Sequence, residues 1–586
     1  MKTFYHLKGF LKDHKWSYVS GIMILLVADA VQLVMPKLLG YITDSLENRS
    51  LTSKSMYILL GIMLLGAVII SLCRYGWRML IFGNARKLEF HLRNKLFSHL
   101  ETLSQNYFNN HKTGDLMACA TNDINAIKLC FGGGIVMMVD SIFLVSLTAI
   151  TMFLTIDASL TVIAIFPMVI IPIIFLTLGK KVHRRFKIVQ KYFGKITDNV
   201  QENISGIRIV KSFVQEEGEC EKFKNLNEEN VEKNMDLIKI LALAQPMTMF
   251  ISAISSIIAI LYGGFMVIDK SITLGDLVSF ITYLGLLTWP MMAVGQVVNV
   301  IQRGTASMER INEILNTKPE IYDKEDCFES EKLKGNIKIN NLTFYYTNTT
   351  VPALKNINID LKAGSTLAVV GKTGSGKTTL VNLLLRLYEV PNGKVFLDGM
   401  DINYIPLGVL RKNIGFVPQD NFLFSRSIEK NIAFSDSNLS YEEVEKAAIM
   451  SQVHSEILSF PKGYQTSLGE RGVNLSGGQK QRISISRALV KKPNILIFDD
   501  CLSAVDTNTE EKILKYLNEE TSNRTSIIIS HRISSIKNAN EIIVLDDGSI
   551  VEHGTHQELL ENNGLYKELY DMQESSPHNT PCEPEL

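Results

Sequence analysis

The stretch GKTGSGKT, from Gly371 to Thr378, decides the fold of the second half of this chain. It fits the pattern G-x-x-x-x-G-K-[ST] at every fixed position and follows the apolar run TLAVV. Glycines allow the tight turn in which successive backbone N–H groups point at a phosphate. A helix that begins at Lys377 adds the positive end of its dipole. The stretch therefore predicts a nucleotide-binding loop, with Lys377 at the terminal phosphates and the Thr378 hydroxyl on Mg²⁺.

Length, charge and cysteine spacing limit the number of domains and the kinds of partner and metal site to be expected. The 586 residues predict two to four domains. Lys plus Arg and Asp plus Glu each number 60, so no overall charge indicates a nucleic-acid partner. The seven cysteines show no C-x-x-C spacing, and we interpret them as reduced thiols rather than as metal ligands or disulfides.

Six stretches in the first half are long and apolar enough to cross a bilayer, which takes about 20 residues. They cover residues 17–39, 56–80, 130–155, 158–179, 240–268 and 274–300. The basic, aromatic start is too long for a signal peptide and lacks a small-residue cleavage site. We expect residues 1–15 to form an amphipathic helix on the membrane surface, followed by a membrane domain over 16–315.

Lysines and arginines concentrate in two long loops, 81–128 and 180–239, whereas the short loops 40–55, 156–157 and 269–273 carry few. The positive-inside rule then places both termini and both long loops in the cytoplasm. These loops have helical periodicity and no proline, so they read as extensions of the spanning helices. Each has one polar break, NNHKTGD at 109–115 and ENISG at 202–206, where the helix is expected to turn.

Residues 316–335 are polar and unpatterned, as in a linker. From Asn336 to residue 574, short β-rich runs alternate with amphipathic helices, which is typical of an α/β domain with phosphate chemistry at its strand ends. The tail 575–586 lacks apolar periodicity and is expected to be disordered.

Two further motifs lie within the α/β part. NILIFDD ends an apolar strand in two carboxylates, of which Asp499 is expected on the Mg²⁺ side. LSGGQ places Ser476, Gly477, Gly478 and Gln479 at the start of a basic helix, which makes a second anion site. One nucleotide does not need both cradles. Two copies arranged head to tail would use both, because the LSGGQ segment of each copy would close over the γ-phosphate bound by the other.

The phosphate loop, Gln419 in FVPQD, LSGGQ, IFDD, SAVD at 503–506 and His531 occur in the order and spacing of an ABC-transporter ATPase domain. With six spans before it, the whole chain resembles an ABC exporter half-transporter, closest to the BmrC-type subunit of heterodimeric bacterial multidrug exporters. TGDLMACATND at 113–123 and QENISGIRIVKSF at 201–213 resemble the coupling-helix regions of that family, and GDLVSFITYLGLLTWPM at 275–291 resembles its last spanning helix.

The resemblance implies a role for each motif residue. Tyr346 would stack on adenine, and His531 would contact the γ-phosphate. Gln419 would join Thr378 and Asp499 around Mg²⁺ and would report nucleotide occupancy to the coupling helices. Asp506 would cross the dimer interface, and GERG at 469–472 would touch the partner's coupling helices. The implied phosphate contacts are Gly371, Thr373, Gly374, Ser375, Gly376, Lys377, Thr378 and Thr379.

One position departs from the family pattern. The residue after the Mg²⁺ aspartate is glutamate in the family, where it is the catalytic base, and here it is Asp500. Aspartate is one methylene shorter, which withdraws its carboxylate by roughly 1 Å, and such a displacement can cost on the order of 100-fold in rate. With LSGGQ intact, this indicates a slow site in an asymmetric heterodimer whose partner carries glutamate. The alternative is a homodimer in which aspartate serves adequately.

Two carboxylates, Asp29 and Asp140, fall inside predicted spans. Charge within a membrane costs about 2.5–3.5 kcal/mol or more at mid-span, so such residues face a cavity or a partner. A substrate path and an interhelical hydrogen bond both remain open for them.

The sequence therefore predicts a six-span helical membrane domain followed by an α/β P-loop ATPase, in the membrane of a bacterial cell. Its expected activity is ATP hydrolysis that drives export of an amphipathic drug or lipid-like molecule by alternating access, in contact with membrane lipid. A lipid flippase, a peptide exporter and an ATP-gated channel or membrane sensor share these motifs and remain alternatives. The six spans exclude a soluble ATPase that acts on nucleic acid or ribosomes.

Overall fold

The computed structural model describes residues 2–328, 332–347, 349–469, 472–502, 505, 507–520 and 524–574. It divides into two compact units. The first contains Met1–Glu101 and Thr113–Thr317, and the second contains Thr102–Lys112 and Lys318–Leu586. Asp506, Ser503, two residues of GERG (470 and 471) and the tail 575–586, all of which figure in the sequence predictions, lie outside the described residues.

The first unit is helical. Among the described residues, six of its helices are long and apolar enough to cross a membrane. A 3₁₀ turn, Lys2–Leu7, precedes the first of them. In chain order the helices, with the two short ones at the polar breaks, are α1 Lys8–Glu47, α2 Ser53–Leu100, α3 Gln105–Asn110 (in the second unit), α4 Thr113–Thr155, α5 Ala158–Ser205, α6 Ile207–Ser212, α7 Glu216–Ile268 and α8 Leu274–Asn316.

The N-terminal residues do not form the separate helix expected over 1–15. After the 3₁₀ turn, α1 runs without interruption from Lys8 into the apolar stretch. No proline lies between Lys8 and the apolar stretch, so the helix continues into it.

Polar caps define the short connections between spans. Thr52 and Thr273 each close a capping box at the start of α2 and α8, and the Asp157 carboxylate accepts the Leu160 N–H at the start of α5. These caps satisfy amide groups that a helix start leaves without partners. They explain why chain reversals of only a few residues suffice.

Helices α1 and α8 meet backbone to backbone. A Cβ on Gly40 would lie 2.4 Å from the Gly275 carbonyl oxygen, and one on Gly275 would lie 2.1 Å from the Gly40 carbonyl oxygen. Asp44 accepts the Gly275 N–H at 2.6 Å and the Thr273 hydroxyl at 2.8 Å. Further along, the Ser279 hydroxyl donates to the Pro36 carbonyl at 2.9 Å. We call this contact the α1–α8 seam.

Helix α4 is not regular. Three single π turns interrupt it, at Cys119–Asp123, Cys130–Gly134 and Asp140–Leu144. At the end of the first turn, the buried Asp123 accepts hydrogen bonds from Ser307 at 2.8 Å and from Arg310, both on α8. Sequence periodicity did not reveal these turns, because the flanking segments stay helical.

The second unit is built on two sheets. Strands β1 Ile337–Phe344, β2 Leu354–Leu361, β4 Val395–Leu397 and β5 Met400–Asp401 form an antiparallel sheet in the order β2-β1-β4-β5. Strands β3 Thr366–Gly371, β6 Ile414–Val417, β7 Ile495–Asp499, β8 Thr525–Ile529, β9 Glu541–Asp546 and β10 Ser549–Gly554 form a second sheet in the order β10-β9-β3-β8-β7-β6.

All neighbours in the second sheet are parallel except β10 and β9. The carboxyl ends of β3, β8, β7 and β6 therefore lie along one edge, where α/β sheets bind ligands. The helices of this unit are α9 Lys377–Leu384, α10 Leu407–Asn413, α11 Ile428–Ile432, α12 Tyr441–Met450, α13 His454–Ser459, α14 Gly477–Leu489, α15 Thr507–Glu520, α16 His556–Glu561 and α17 Leu565–Glu574.

From Lys318 onward, the segment predicted as a linker is part of the second unit and hydrogen-bonds within it. Arg386 donates to the Tyr322 carbonyl at 3.1 Å, and the Asp323 carboxylate accepts the Leu407 N–H at 2.7 Å. The polar composition reflects these hydrogen bonds at the surface of the unit.

Candidate nucleotide site

The loop from Gly371 to Thr378 joins β3 to α9 and needs glycine at two points. Gly371 has φ +155°, and a Cβ there would lie 2.1 Å from the Leu545 carbonyl oxygen. Gly376 has φ +101° as the residue before α9, and a Cβ there would lie 2.7 Å from the Ala353 carbonyl oxygen. Side chains at either position would push the loop away from its neighbours.

A cavity of about 270 Å³ opens beside this loop at the carboxyl edge of the parallel sheet. It collects residues from β3, β6, β7 and β8, which are far apart in sequence. Its lining consists of Tyr346, Ala353, Thr373, Gly374, Gly376, Lys377, Thr378, Thr379, Gln419, Asp499, Asp500, Ile529 and His531. The structure thus brings together most of the phosphate-loop and strand-end residues that the sequence assigned to nucleotide binding, although Gly371 and Ser375 do not line the cavity.

Lys377 is buried, with 7 % of its surface exposed, and its ammonium group donates to the loop itself. The acceptors are the carbonyl oxygens of Gly371 at 2.7 Å and Lys372 at 2.8 Å. Burial lowers the pKa of Lys377, while the nearby carboxylates Asp499 and Asp500 oppose that shift. The charge is thus held in place and incompletely compensated, which suits an anionic ligand.

Asp499 ends β7 and is almost fully buried, with 2 % exposure. Burial raises its pKa, with a smaller contribution from Asp500, while a hydrogen bond from Thr378 and the charge of Lys377 lower it. A hydroxyl, a carboxylate and the Gln419 side chain facing one cavity are hard oxygen donors of the kind that Mg²⁺ prefers. The donor set therefore fits the expected ion.

Asp500 follows in the left-handed region of backbone conformation, with φ +45°. Its N–H donates to the Ile529 carbonyl at 2.9 Å, which fixes the turn out of β7 against β8. Aspartate and asparagine tolerate this conformation better than other non-glycine residues do. The backbone thus aims the residue at the cavity.

Gln419 and His531 reach the cavity from the ends of β6 and β8, and both are exposed. The His531 carbonyl accepts the side-chain amide of Gln573 at 2.6 Å. This bond holds the backbone of the turn and leaves the imidazole at the cavity wall.

Tyr346 lies just after β1, and its hydroxyl is 2.9 Å from the Thr379 hydroxyl. Its ring packs edge-on against Phe344, with centroids 5.2 Å apart, and against Tyr388, with centroids 5.1 Å apart. The two aromatic neighbours fix the ring beside the phosphate loop.

The LSGGQ segment lies apart from this cavity. The Ser476 hydroxyl accepts the Gln479 N–H at 3.2 Å, and the Gln479 side chain accepts the Ser476 N–H at 2.9 Å, so together they close a capping box on α14. Ser476 and Gly477 are nevertheless exposed. The helix start at Ser476 is therefore exposed and pre-shaped, and it does not line the cavity beside the phosphate loop.

Comparison with known proteins matches both units. Residues 18–291 match the family model described as the ABC transporter transmembrane region, and residues 354–503 match the model described as ABC transporter. A probable multidrug resistance ABC transporter ATP-binding/permease protein, YheI of Bacillus subtilis, is 39 % identical over 568 residues, which cover 97 % of each chain. The multidrug resistance-like ATP-binding protein MdlA of Escherichia coli is 36 % identical and covers 98 % of this chain and 97 % of its own.

The chain is an ABC exporter.

Two further similarities show how wide this family is. An ATP-dependent lipid A-core flippase of Syntrophus aciditrophicus is 34 % identical to the exporter over 98 % of this chain and 95 % of the flippase. A solved structure of a bacterial Atm1-family ABC exporter with ATP bound superimposes with a TM-score of 0.80 at 27 % identity, covering 96 % of this chain and 99 % of that one. The exporter is thus a multi-pass membrane protein whose ABC ATPase domain couples ATP hydrolysis to transport, and such exporters work as dimers of half-transporters.

Sequence reasoning missed two residues around the exporter's site. Tyr388, after α9, packs on Tyr346 and also accepts a hydrogen bond from Asn109. Asn109 was noted only as part of a polar break. Sequence periodicity cannot indicate a contact between residues as far apart as Asn109 and Tyr388. The only available signal was the polar side chain of Asn109 at a break in a helical stretch.

Proposed function

We propose that this exporter is the slow-site chain of a heterodimeric multidrug efflux pump, similar to the BmrC-type subunit. The observation that carries the proposal is Asp500, which occupies the base position in a nucleotide cavity that is otherwise complete. Lys377, Thr378 and Asp499 line the same cavity, so the site keeps the means to bind nucleotide. Its base alone is shortened.

In this proposal the chain's own residues bind ATP and hold it. The loop amides and Lys377 neutralise the phosphates, and the ring of Tyr346 offers a face to the adenine. Thr378, Asp499 and Gln419 would hold Mg²⁺, which when bound supplies positive charge at the phosphate oxygens. Asp500 orients the attacking water and accepts its proton, and His531 donates to the γ-phosphate oxygen.

The partner's LSGGQ would cover this site, and the exposed Ser476 and Gly477 would cover the partner's site. A slow site keeps ATP bound between cycles and so keeps two ATPase domains associated through many turnovers. The fast site, with glutamate in the partner, would then set the rate. Closure of the pair would pull the cytoplasmic helix ends together and open the opposite side of the membrane domain.

The location of the basic loops supports a cell membrane topology with both termini and the ATPase domain in the cytoplasm. An amphipathic small molecule is the substrate class that we favour, because the two multidrug relatives align over nearly the whole chain. A lipid flippase is the second candidate, and the flippase relative supports it with coverage of the same extent.

The test is ATPase activity of the chain alone and with its co-purifying partner. A chain that forms only Asp500 sites should be at least about 100-fold slower than the pair, which corresponds to roughly 3 kcal/mol of transition-state stabilisation. Changing the partner's glutamate to glutamine should abolish activity, whereas Asp500→Asn should reduce it less than about twofold. Asp360→Asn, at an exposed position on β2, is the matched control.

Asp500→Glu adds the missing methylene and should raise single-chain activity. The gain should be partial, because glutamate adopts the left-handed backbone conformation of position 500 less readily than aspartate does. Brisk ATPase of the single chain that Asp500→Asn abolishes would contradict the heterodimer and leave a homodimer with a working aspartate.

A further inference from the structure

A basic cavity lies between the N-terminal residues and α2, within the first unit. Its volume is about 840 Å³. Lysines and histidines from both segments line it, together with aromatic side chains. The basic lining residues include Lys8, Lys12, Lys87, Lys95, His14 and His91. We call it the basic pocket.

Three contacts fix the antiparallel register of α1 and α2 around the pocket. The Asn84 side chain donates to the Ser17 hydroxyl at 2.8 Å, and the rings of Phe10 and His91 lie 5.5 Å apart. Lys95 reaches the His6 carbonyl at 3.5 Å. The residue numbers in each pair add up to 101, which means that the two antiparallel segments keep one register along the pocket. The pocket is therefore shaped by the packing of the two segments.

The pocket carries excess positive charge. Four lysines line it against a single carboxylate, Asp13. Among the described residues, none of these lysines forms an ion pair with a carboxylate within 4.0 Å. The one acid of the facing stretch of α2, Glu89, is already paired with Arg86 at 3.0 Å, Arg93 at 2.9 Å and Lys128 at 3.3 Å.

The charge lies where lipid headgroups would be. Lys12 precedes the first predicted span by five residues, and Lys87 follows the end of the second by seven, which is about 7.5 Å and about 10 Å along a helix. The headgroup region extends roughly 5–8 Å beyond the hydrocarbon on each side, and a lysine side chain spans the remainder. Trp16, exposed beside the pocket at 73 %, is a residue type that favours this interface.

We propose that the basic pocket binds the phosphate of an anionic phospholipid in the leaflet that borders this end of the helices. The lysines pair with the phosphate, Trp16, which lies nearer the span than Lys12, contacts the glycerol and the first methylenes, and the acyl chains continue along the apolar surface of α1 and α2. Basic pockets between helices at the membrane boundary have the chemistry that selects such headgroups. The inference does not depend on the heterodimer or on Asp500.

The probe is phosphatidylglycerol, measured by native mass spectrometry on the full-length exporter exchanged from mixed phosphatidylcholine–phosphatidylglycerol vesicles. Wild type should retain phosphatidylglycerol over phosphatidylcholine. Lys12→Gln with Lys87→Gln should weaken that retention roughly tenfold or more, because the double variant loses two positive charges that attract the anionic headgroup. A tenfold loss of affinity corresponds to about 1.4 kcal/mol.

The matched control is Lys54→Gln with Lys270→Gln, which removes two exposed lysines at the opposite ends of the spans. It should leave retention within about twofold. Thermal unfolding and ATP binding report whether either double variant is folded. Equal retention in both double variants, or no preference for the anionic lipid in wild type, would overturn the proposal. Displacement by millimolar inorganic phosphate alone would show a free-phosphate site and would overturn it as well.

Discussion

The side-chain amide of Asn109 donates a hydrogen bond of 2.8 Å to the hydroxyl of Tyr388. The Tyr388 ring packs edge-on against Tyr346, whose own hydroxyl is 2.9 Å from that of Thr379. Three side chains thus connect the polar break after α2 with the nucleotide cavity, all within the second unit. These three contacts are a physical route by which occupancy of the cavity can bias the segment 102–112.

Tyr388→Phe keeps the ring contact and removes the hydrogen bond to Asn109. One hydrogen bond is worth about 1 kcal/mol, so we expect roughly a fivefold loss in the stimulation of ATPase by transported substrate. ATP affinity should stay within about twofold, because the ring still packs on Tyr346. The control is Tyr345→Phe, at a neighbouring tyrosine that is 51 % exposed. Equal effects of the two variants would remove Tyr388 from the coupling.

Lys377→Ala removes the buried ammonium group at the phosphate loop. Hydrogen bonds to charged groups are worth about 1.5–3 kcal/mol, so ATP affinity should fall roughly 10- to 100-fold. Transport should also fall, since closure of the pair needs nucleotide in both sites. Calorimetric titration with ATP measures the first effect and vesicle uptake the second. Lys372→Ala, an exposed lysine of the same loop, should leave both nearly unchanged.

The buried Asp499 should make the stability of the nucleotide-free protein depend on pH. Its pKa is raised above the ordinary 3.8, chiefly by burial, so the buried charge costs folding free energy at neutral pH and that cost disappears as the folded state takes up a proton. Without nucleotide and Mg²⁺, Asp499→Asn should therefore unfold at a higher temperature at pH 7.5, by about 2–4 °C if the cost is ~1 kcal/mol. The difference should shrink as pH falls towards 4.

Thermal unfolding of the full chain in detergent across that pH range checks the Asp499 prediction, with Asp360→Asn beside it as the exposed counterpart. A stability gain that is independent of pH would assign the effect to packing instead of to charge.

Asp29 and Asp140 lie in the first unit, and each has one carboxylate oxygen without a hydrogen-bond partner in the part of the chain that the structure describes. We predict that Asp29→Asn and Asp140→Asn each weaken transport of cationic substrates about tenfold relative to neutral ones, with basal ATPase within twofold. The reason is that a carboxylate oxygen within a span that lacks a hydrogen-bond partner is stabilised by a bound cation.

Transport assays with a matched cationic and neutral pair of dyes separate the two roles of these aspartates. Asp269→Asn, on the exposed connection before α8, is the control. Lower expression with an unchanged substrate profile would indicate that the aspartates hold the helices together.

The sequence predicted the parts of this protein that depend on local composition. Six apolar stretches and a glycine-rich loop between a strand and a helix carry their structure in short windows, because burial in lipid and phosphate binding each restrict residue type at fixed spacing. The fold class followed from them, and the structure and relatives confirm it.

The rest depended on contacts between distant residues. The antiparallel sheet β2-β1-β4-β5 pairs β1 with β4, two strands far apart in the chain, and no local pattern indicates that pairing. Nothing near Asn109 indicates that it reaches Tyr388, and nothing near Ser17 indicates that it lies opposite Asn84. Such pairings depend on how whole helices pack, and that is decided by many weak contacts.

The α1–α8 seam has a consequence for how the membrane domain works. At Gly40 and Gly275 its contacts are hydrogen bonds and close backbone, with the Ser279 hydroxyl and the Asp44 carboxylate as the nearest side-chain groups. Beside it, Leu33 of α1 shares a buried apolar cluster with Phe280 and Tyr283 of α8, so separating the helices would expose apolar surface as well as break hydrogen bonds of about 1 kcal/mol each. The seam closes on one defined geometry and tolerates no added methyl group, and with the apolar packing beside it this favours motion of α1 and α8 as one rigid pair.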